Sequence, residues 1–482
     1  MIGREPSAAR SQKIQVGAYL TRMLVGMAVT VILGRALAPD AFGFYTLVGT
    51  VYFLSHLFLD LGAGPLAVAE IARDRSRERP LLEGLLAFRR LIGILLALGV
   101  SLYAVVSLEG DRMGILMGAG GSLILLAPLV LMVAFQVRQR LGAPAVLGLA
   151  SQIAVLLGVL LFSTLGLAHS AYAWLLVGRE VLHAACLRII GVRLLEFTPK
   201  EGFRGRDLSP FLRRVVVRGS ASLLHVVYFQ VDVFFVRALA GISSLGAYSS
   251  AFRLVNPLFH IPGVAMAPLL PVLAHTAEND RQTLAALIRG SGALVTGFGA
   301  VGGLAAVLLA PELIETIYGG GYSGGELDAT EALRWMGIAL AAVFATGAFT
   351  TALVADRGER VLLVLGIVGL VVNVSGNLAL IPIMGFTGAA FTTAVTEVVV
   401  LLCSLLFLWR GRRLAVVGLD HLQALLPAVL LLPILLLLPG GSTTRVILGA
   451  VAGAAALLFL WKLPVSRRFF ELLHRAEVRM QE

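Results

Sequence analysis

The sequence predicts an all-α, polytopic membrane protein of about fourteen transmembrane helices, built as two parallel six-helix lobes plus two extra C-terminal helices. Three observations predict it. Of the 482 residues, 58% are hydrophobic and only 14% are charged, against about 25% charged in an ordinary soluble protein. Apolar runs of roughly 17–25 residues, each able to cross a hydrocarbon core of about 30 Å, recur along the whole length. Finally, the phrase RALAPDAFGFYTL beginning at Arg35 returns as RALAGISSLGAYSS beginning at Arg237, so one unit occurs twice.

Taken in order, spans are predicted near 15–34, 42–68, 88–107, 113–135, 145–165, 169–188, 216–236, 245–272, 290–310, 333–354, 361–381, 386–408, 421–438 and 446–461. Alternate loops then differ sharply in basic residues. One side collects 31 Lys and Arg, counting Arg89 and Arg90 with the 69–87 loop, and the other side collects 5. That asymmetry places both termini in the cytoplasm. It also accounts for the net charge of +11 without nucleic acid, since the charge lies in loops beside anionic headgroups. The basic start (Arg4, Arg10, Lys13) leads into a full-length span, unlike a cleaved secretion signal. The 53 glycines suit close helix packing in lipid. Cys186 and Cys403 lie inside spans and offer no disulfide framework.

The repeat extends to the sixth and twelfth spans. Glu180-Val181 is followed six residues after the glutamate by Cys186, and Glu397-Val398 by Cys403 at the same distance. Residues 1–192 are therefore the first lobe and 216–410 the second. Between them, 193–215 is a cytoplasmic linker broken by Pro199, Gly202, Gly205 and Pro210, and 411–482 holds the two added spans and a cytoplasmic tail. Loop signs run the same way in both lobes. A parallel repeat of this kind usually places its ligand site between the halves near the midplane. The Gly-rich outer stretch 311–331 reads as a mobile external loop.

Several segments resemble one family. LGRALAPDAFGFY followed by LFLDLGAGPLAV is similar to the first two helices of the bacterial polysaccharide flippases. QVDVFFVRALAGISSLGAYSSAFRLVNPLFHIPG resembles their helices 7 and 8, and NVSGNLALIPIMGFTGAAFTTAVTE their helix 11–12 hairpin. These are the lipid-linked oligosaccharide flippases of the multidrug/oligosaccharidyl-lipid/polysaccharide superfamily. The resemblance covers about residues 10–410. It implies a V-shaped bundle that works by alternating access, with a cavity formed mainly by helices 1, 2, 7 and 8 and lined by basic side chains.

Polar residues within spans are the candidate site. An arginine at mid-span costs roughly 2.5–3.5 kcal/mol on insertion scales, so each needs a reason. Arg253 lies about 12 Å into span 8 at 1.5 Å per residue, and Asn256 and His260 share its face. This stripe either binds an anion such as a phosphate or enters an internal ion pair, for instance with Asp232. Arg22 on span 1 either lines the same cavity, snorkels to the interface or pairs with Asp60 on span 2, where His56 sits one turn away. On span 6, Arg179 and Glu180 are sequence neighbours that do not face each other, so each is expected to have its own partner. Glu180 and its repeat mate Glu397 either brace helix contacts or carry a coupling proton. His225 and Asp232 share a face of span 7 and either bind a coupling cation or counter Arg253. Asn373 and Asn377 form an i,i+4 amide pair that suits interhelical hydrogen bonding.

Signals for catalysis are missing. There is no P-loop, no metal-ligand spacing and no nucleophile–base arrangement. The expectation is a non-enzymatic flippase of a bacterial or archaeal cytoplasmic membrane, carrying an undecaprenyl-diphosphate-linked oligosaccharide outward for surface polysaccharide synthesis. Substrate binding is expected at Arg22, His56, Arg253, Asn256 and His260. Charge partners or ion-coupling groups are expected among Asp60, Arg179, Glu180, His225, Asp232 and Glu397. No cofactor is expected, and coupling would be to membrane potential, H+ or Na+. Partners would be the lipid-linked glycan, membrane lipids, a polymerase and glycosyltransferases, around a monomer. Two relatives of the same fold are alternatives: a lipid II flippase, marked by a third cavity arginine on span 2 where this chain has His56 and Asp60, and a cation-coupled multidrug antiporter, which Arg253 disfavours. A non-transporting scaffold or receptor would need no mid-span basic residue.

Overall fold

The computed structural model describes residues 8–195, 211, 213, 215, 227–356, 358–412 and 414–481, and no strand occurs among them. Most of the predicted linker, the first half of span 7 and His225 lie outside the described residues. Among the described residues, eleven helical segments are long and apolar enough to cross a membrane. The chain divides into two compact units, Met1–Leu223 and Leu224–Glu482.

In the first unit, α1 (Ala8–Ala36) packs along α7 (Gly142–Thr164). The second span is two helices, α2 (Pro39–Asp60) and α3 (Ala63–Arg73). They are separated by Leu61 and Gly62 at φ 46° and 77°. Glycine takes that left-handed conformation without penalty, whereas Leu61 sits where an L-residue pays about 1–2 kcal/mol. The Asp60 side chain accepts from the Gly64 N–H at 3.4 Å and so starts the second piece. Next comes α4 (Glu78–Ser107). The fourth span runs from α5 (Gly110–Ser122) through a 3₁₀ stretch containing Pro128, which has no N–H for an α ladder, into α6 (Leu131–Val137). α8 (His169–Leu195) completes the unit; it is 27 residues long but carries Arg179, Glu180 and His183 near its centre. Ile71, Leu82, Leu85, Phe135 and Leu187 form its inner core.

The second unit opens with α9 (227–239) and α10 (Ile242–Phe259). Its second span also bends. Pro257, Pro262, Pro268 and Pro271 each remove a ladder donor, and the span continues as α11 (Ile261–Met266), a 3₁₀ turn and α12 (Leu270–Asn279). α13 (Arg281–Leu308) and α15 (Thr330–Ala355) touch through their backbones. A Cβ on Gly303 would lie 2.5 Å from the Gly337 carbonyl oxygen, so only glycine permits this approach. α16 (Glu359–Met384) and α17 (Phe386–Leu406) follow. The added pair, α18 (Leu419–Leu436) and α19 (Ser442–Lys462), packs on α13; a Cβ on Gly297 would meet the Ala424 carbonyl at 2.6 Å.

The two units share a device that the repeat in the sequence did not reveal. Asp74 precedes Arg75 and Asp280 precedes Arg281, and both aspartates sit in extended backbone between the second and third spans. The Asp280 carboxylate accepts from the Gln282 and Thr283 N–H groups, each at 3.0 Å, and from the Thr283 hydroxyl at 2.6 Å. The Asp74 carboxylate accepts from the N–H and hydroxyl of Ser76 at 3.0 and 2.6 Å. These donors, the hydroxyls first, hold both acids below the usual carboxylate range.

One expectation needs correction. The stretch 311–331, expected to be a mobile external loop, is ordered instead: α14 (Ala310–Tyr318) begins there, and Tyr318 and Tyr322 are buried. The Tyr318 hydroxyl donates to the Ser250 carbonyl at 2.9 Å, and Arg445 pairs with Glu312. Its glycines are confined to the turn after Tyr318. The chain ends in a further helix, α20 (Pro464–Gln481), with Val465, Phe469 and Ala476 turned into the core.

The outward faces are apolar. Leu98, Leu102 and Val106 of α4 are 64%, 66% and 77% exposed. Continuous apolar surface on this scale requires lipid as its solvent.

Candidate functional site

Arg253 lies in the middle of α10, and Asn256 and His260 follow at helical spacing. Arg253 and Asn256 are half-buried and His260 is exposed. Tyr318, fixed on the Ser250 carbonyl, is an electrostatic neighbour of Arg253. One basic and two polar side chains thus occupy one stretch of an apolar helix, beside the proline-rich bend.

Asp232 does not pair with Arg253. Its carboxylate is fully buried and is held by three neutral donors from three other helices. The Tyr248 hydroxyl of α10 donates at 2.9 Å, the Asn377 amide of α16 at 2.7 Å and the Thr393 hydroxyl of α17 at 2.7 Å. Asn377 also donates to Asn373 at 2.9 Å, so the amide pair is part of this network. One turn before Asp232 on α9, the Tyr228 hydroxyl donates to Glu397 at 2.9 Å. His225, expected on the same face, lies outside the described residues.

In the first unit the charges sort differently from the sequence expectation. Asp60 pairs with Arg89, not with Arg22. The loop count placed Arg89 in the cytoplasmic loop, but α4 begins at Glu78, so Arg89 stands three turns inside a helix and is buried. Sequence reasoning missed this residue. The signal that could have found it is helical: an arginine eleven residues into a helix, behind the buried Leu82 and Leu85. Arg179 and Glu180 do meet, Nη2 to Oε1 at 2.9 Å, which the length of the arginine side chain allows even between sequence neighbours. His56 approaches the other oxygen of Glu180 at 3.1 Å. Glu180, His56 and Arg179 are therefore one cluster. His183 lies 3.4 Å from the Ser151 hydroxyl.

Arg22 is exposed and lies over α7, where a Cβ added to Gly148 would be 3.0 Å from its Nη1. Among the described residues no hydrogen bond or ion pair is recorded for its guanidinium. The absence of a side chain at Gly148 leaves the space the guanidinium occupies. Also among the described residues, no three His, Cys, Asp or Glu side chains cluster as metal ligands.

These features define a multi-pass α-helical membrane protein of two units, each with its own charged or polar group of side chains within the spans. The pattern of the polysaccharide biosynthesis protein family matches residues 11–277, more than half of the chain, and the chain belongs to that family. A sequence search of curated proteins finds no match. Among solved structures the chain is similar to the lipid II flippase MurJ in an inward closed conformation, with a TM-score of 0.75 at 14% identity, covering 92% of this chain and 97% of that one. It is similar to an inward-facing multidrug resistance MATE family transporter of the MOP superfamily, with a TM-score of 0.59 at 16% identity over 83% and 98% of the two chains. A third is a MOP superfamily transporter from Pyrococcus furiosus, with a TM-score of 0.54 at 15% identity over 84% and 96%. At such identities the likeness establishes the fold that flippases and drug exporters share.

Proposed function

We propose that this protein is a flippase that moves an undecaprenyl-diphosphate-linked oligosaccharide from the inner to the outer leaflet of the cytoplasmic membrane, by alternating access, for surface polysaccharide synthesis. The observation that carries the reading is the Arg253–Asn256–His260 stripe within a chain of the polysaccharide biosynthesis family. A guanidinium offers a planar fork of donors suited to phosphate oxygens. Arg22, exposed over Gly148, adds a second cation. Amide and imidazole groups beside Arg253 suit a headgroup that joins phosphate to sugar. An inside-negative potential favours outward movement of the diphosphate by ~2.3 kcal/mol per charge per 100 mV. Glycosyltransferases would supply the glycan and a polymerase would receive it.

The experiment is leaflet translocation in proteoliposomes with three probes: a short undecaprenyl-diphosphate glycan, lipid II, and a lipophilic cationic dye. Movement of the glycan with neither of the others is the expected result. Preference for lipid II would transfer the chain to the activity named for the flippase it is similar to. Dye movement alone would point to drug export.

Both termini are placed in the cytoplasm under this reading. Single cysteines introduced at Glu78 and Gly325 should then react with a membrane-impermeant thiol reagent from opposite sides. Labelling from the same side would overturn the orientation.

A further inference from the structure

We propose that Glu397 and Tyr228 form a proton-binding site inside the second unit, a coupling element that rests on the transport reading above. The repeat places a glutamate in the last helix of each six-helix unit, and the two have opposite surroundings. Glu180 is met by two basic side chains, Arg179 and His56. Glu397 is 2% exposed, and its recorded partner is a neutral phenol, the Tyr228 hydroxyl at 2.9 Å. Among the described residues it has no ion pair. A buried carboxylate without a cation is costly to keep ionised, and binding a proton removes that cost.

Among the described residues, the neighbouring elements place no cation in an ion pair with Glu397, although α9 also carries Arg237 and α10 carries Arg253. From α9 come Tyr228 and Asp232, and from α10 comes Tyr248. α16 contributes the amides of Asn373 and Asn377. α15 has no titratable residue between Trp335 and Ala355, and Arg410, beyond the end of α17, is exposed. His225 lies outside the described residues. The other acid here is Asp232, and its position gives the site a connection. Tyr228 and Asp232 are four apart on α9, as Thr393 and Glu397 are on α17. The contacts Tyr228–Glu397 and Asp232–Thr393 are thus two rungs one helical turn apart. Release breaks the Glu397 O–H bond and passes the proton to water; the carboxylate left behind accepts from the Tyr228 hydroxyl. Uptake reverses each step.

The test uses the full-length protein in lipid nanodiscs and needs no substrate. A pH-difference infrared spectrum should contain a carbonyl stretching band of a protonated carboxylic acid. That band should be lost in Glu397→Gln and retained in Glu180→Gln. Tyr228→Phe, which keeps the acid and removes only the donor, should shift the band. A spectrum unmoved by both Glu397→Gln and Tyr228→Phe overturns the proposal, while leaving the flippase reading intact. In proteoliposomes, glycan translocation by the wild type should respond to an imposed pH gradient, and the response should vanish in Glu397→Gln. A response that persists in that variant overturns the coupling role. If the wild type moves no glycan at all, the flippase reading fails, and the infrared band still decides the proton site.

Discussion

Arg253→Ala is expected to abolish surface glycan export while the protein remains in the membrane at wild-type level. A charge-assisted hydrogen bond contributes about 1.5–3 kcal/mol. Losing one such contact to a diphosphate weakens binding roughly tenfold to a hundredfold, since each 1.4 kcal/mol is a factor of ten. Arg253→Lys keeps the charge but not the planar fork, and should retain part of the export. Asn256→Ala should weaken export less, because a neutral amide bond is worth about 0.5–1.5 kcal/mol. Complementation of a strain lacking its own exporter, with membrane abundance measured in parallel, checks the series. Normal export by Arg253→Ala would sink the assignment of α10 as the anion-binding helix. The half-buried position of Arg253 matters here, because local water is restricted and the field of the guanidinium is screened less than at an open surface.

The second large effect is on stability, and it is directional. Asp60→Ala leaves Arg89, whose side chain is 8% exposed, without its carboxylate. Removing one member of a fully buried pair costs about 3–5 kcal/mol; this pair is open to water on the Asp60 side, so the loss should be smaller, though still a noticeable part of the roughly 5–15 kcal/mol that holds a typical domain together. The same change removes the acceptor of the Gly64 N–H, so the start of α3 weakens too. Arg89→Leu should cost less, because the Asp60 side chain it leaves behind is 34% exposed and can reach water. The double variant should recover most of the loss caused by Asp60→Ala. Thermal unfolding in detergent, with yield after size-exclusion chromatography, measures all three. If Arg22→Leu rescues Asp60→Ala and Arg89→Leu does not, the pair has been misassigned.

Much of the fold was legible in one dimension. Hydropathy located the helices, and the phrase at Arg35 and Arg237 located the two units. Hydropathy could not show how a span bends. Spans 2 and 8 read as continuous apolar runs, yet one breaks at Leu61–Gly62 and the other at a series of prolines. The proline signal was present at Pro257, Pro262, Pro268 and Pro271. The signal at Leu61 was weaker, because glycine is frequent throughout this chain.

The candidate side chains were visible in advance for the same reason the helices were: a charge within an apolar run stands out. Their partners were not. Asp60 was free to be matched with any base at similar depth, and the choice of Arg89 depends on how far α4 extends before the membrane begins. Arg179 and Glu180 were separated by a rule about helix faces that holds for short side chains and fails for a long guanidinium arm.

The sequence alone therefore determined that this is a two-unit, all-helical membrane protein with a basic stripe on α10 and paired glutamates at the ends of its repeats. Those properties follow from local composition and spacing. Tertiary structure alone decided that Glu180 is shared by His56 and Arg179, that Asp232 is held by neutral donors from α10, α16 and α17, and that Glu397 accepts from the Tyr228 phenol. These contacts join residues up to 169 positions apart, and helix packing, which no local pattern encodes, sets which of them meet.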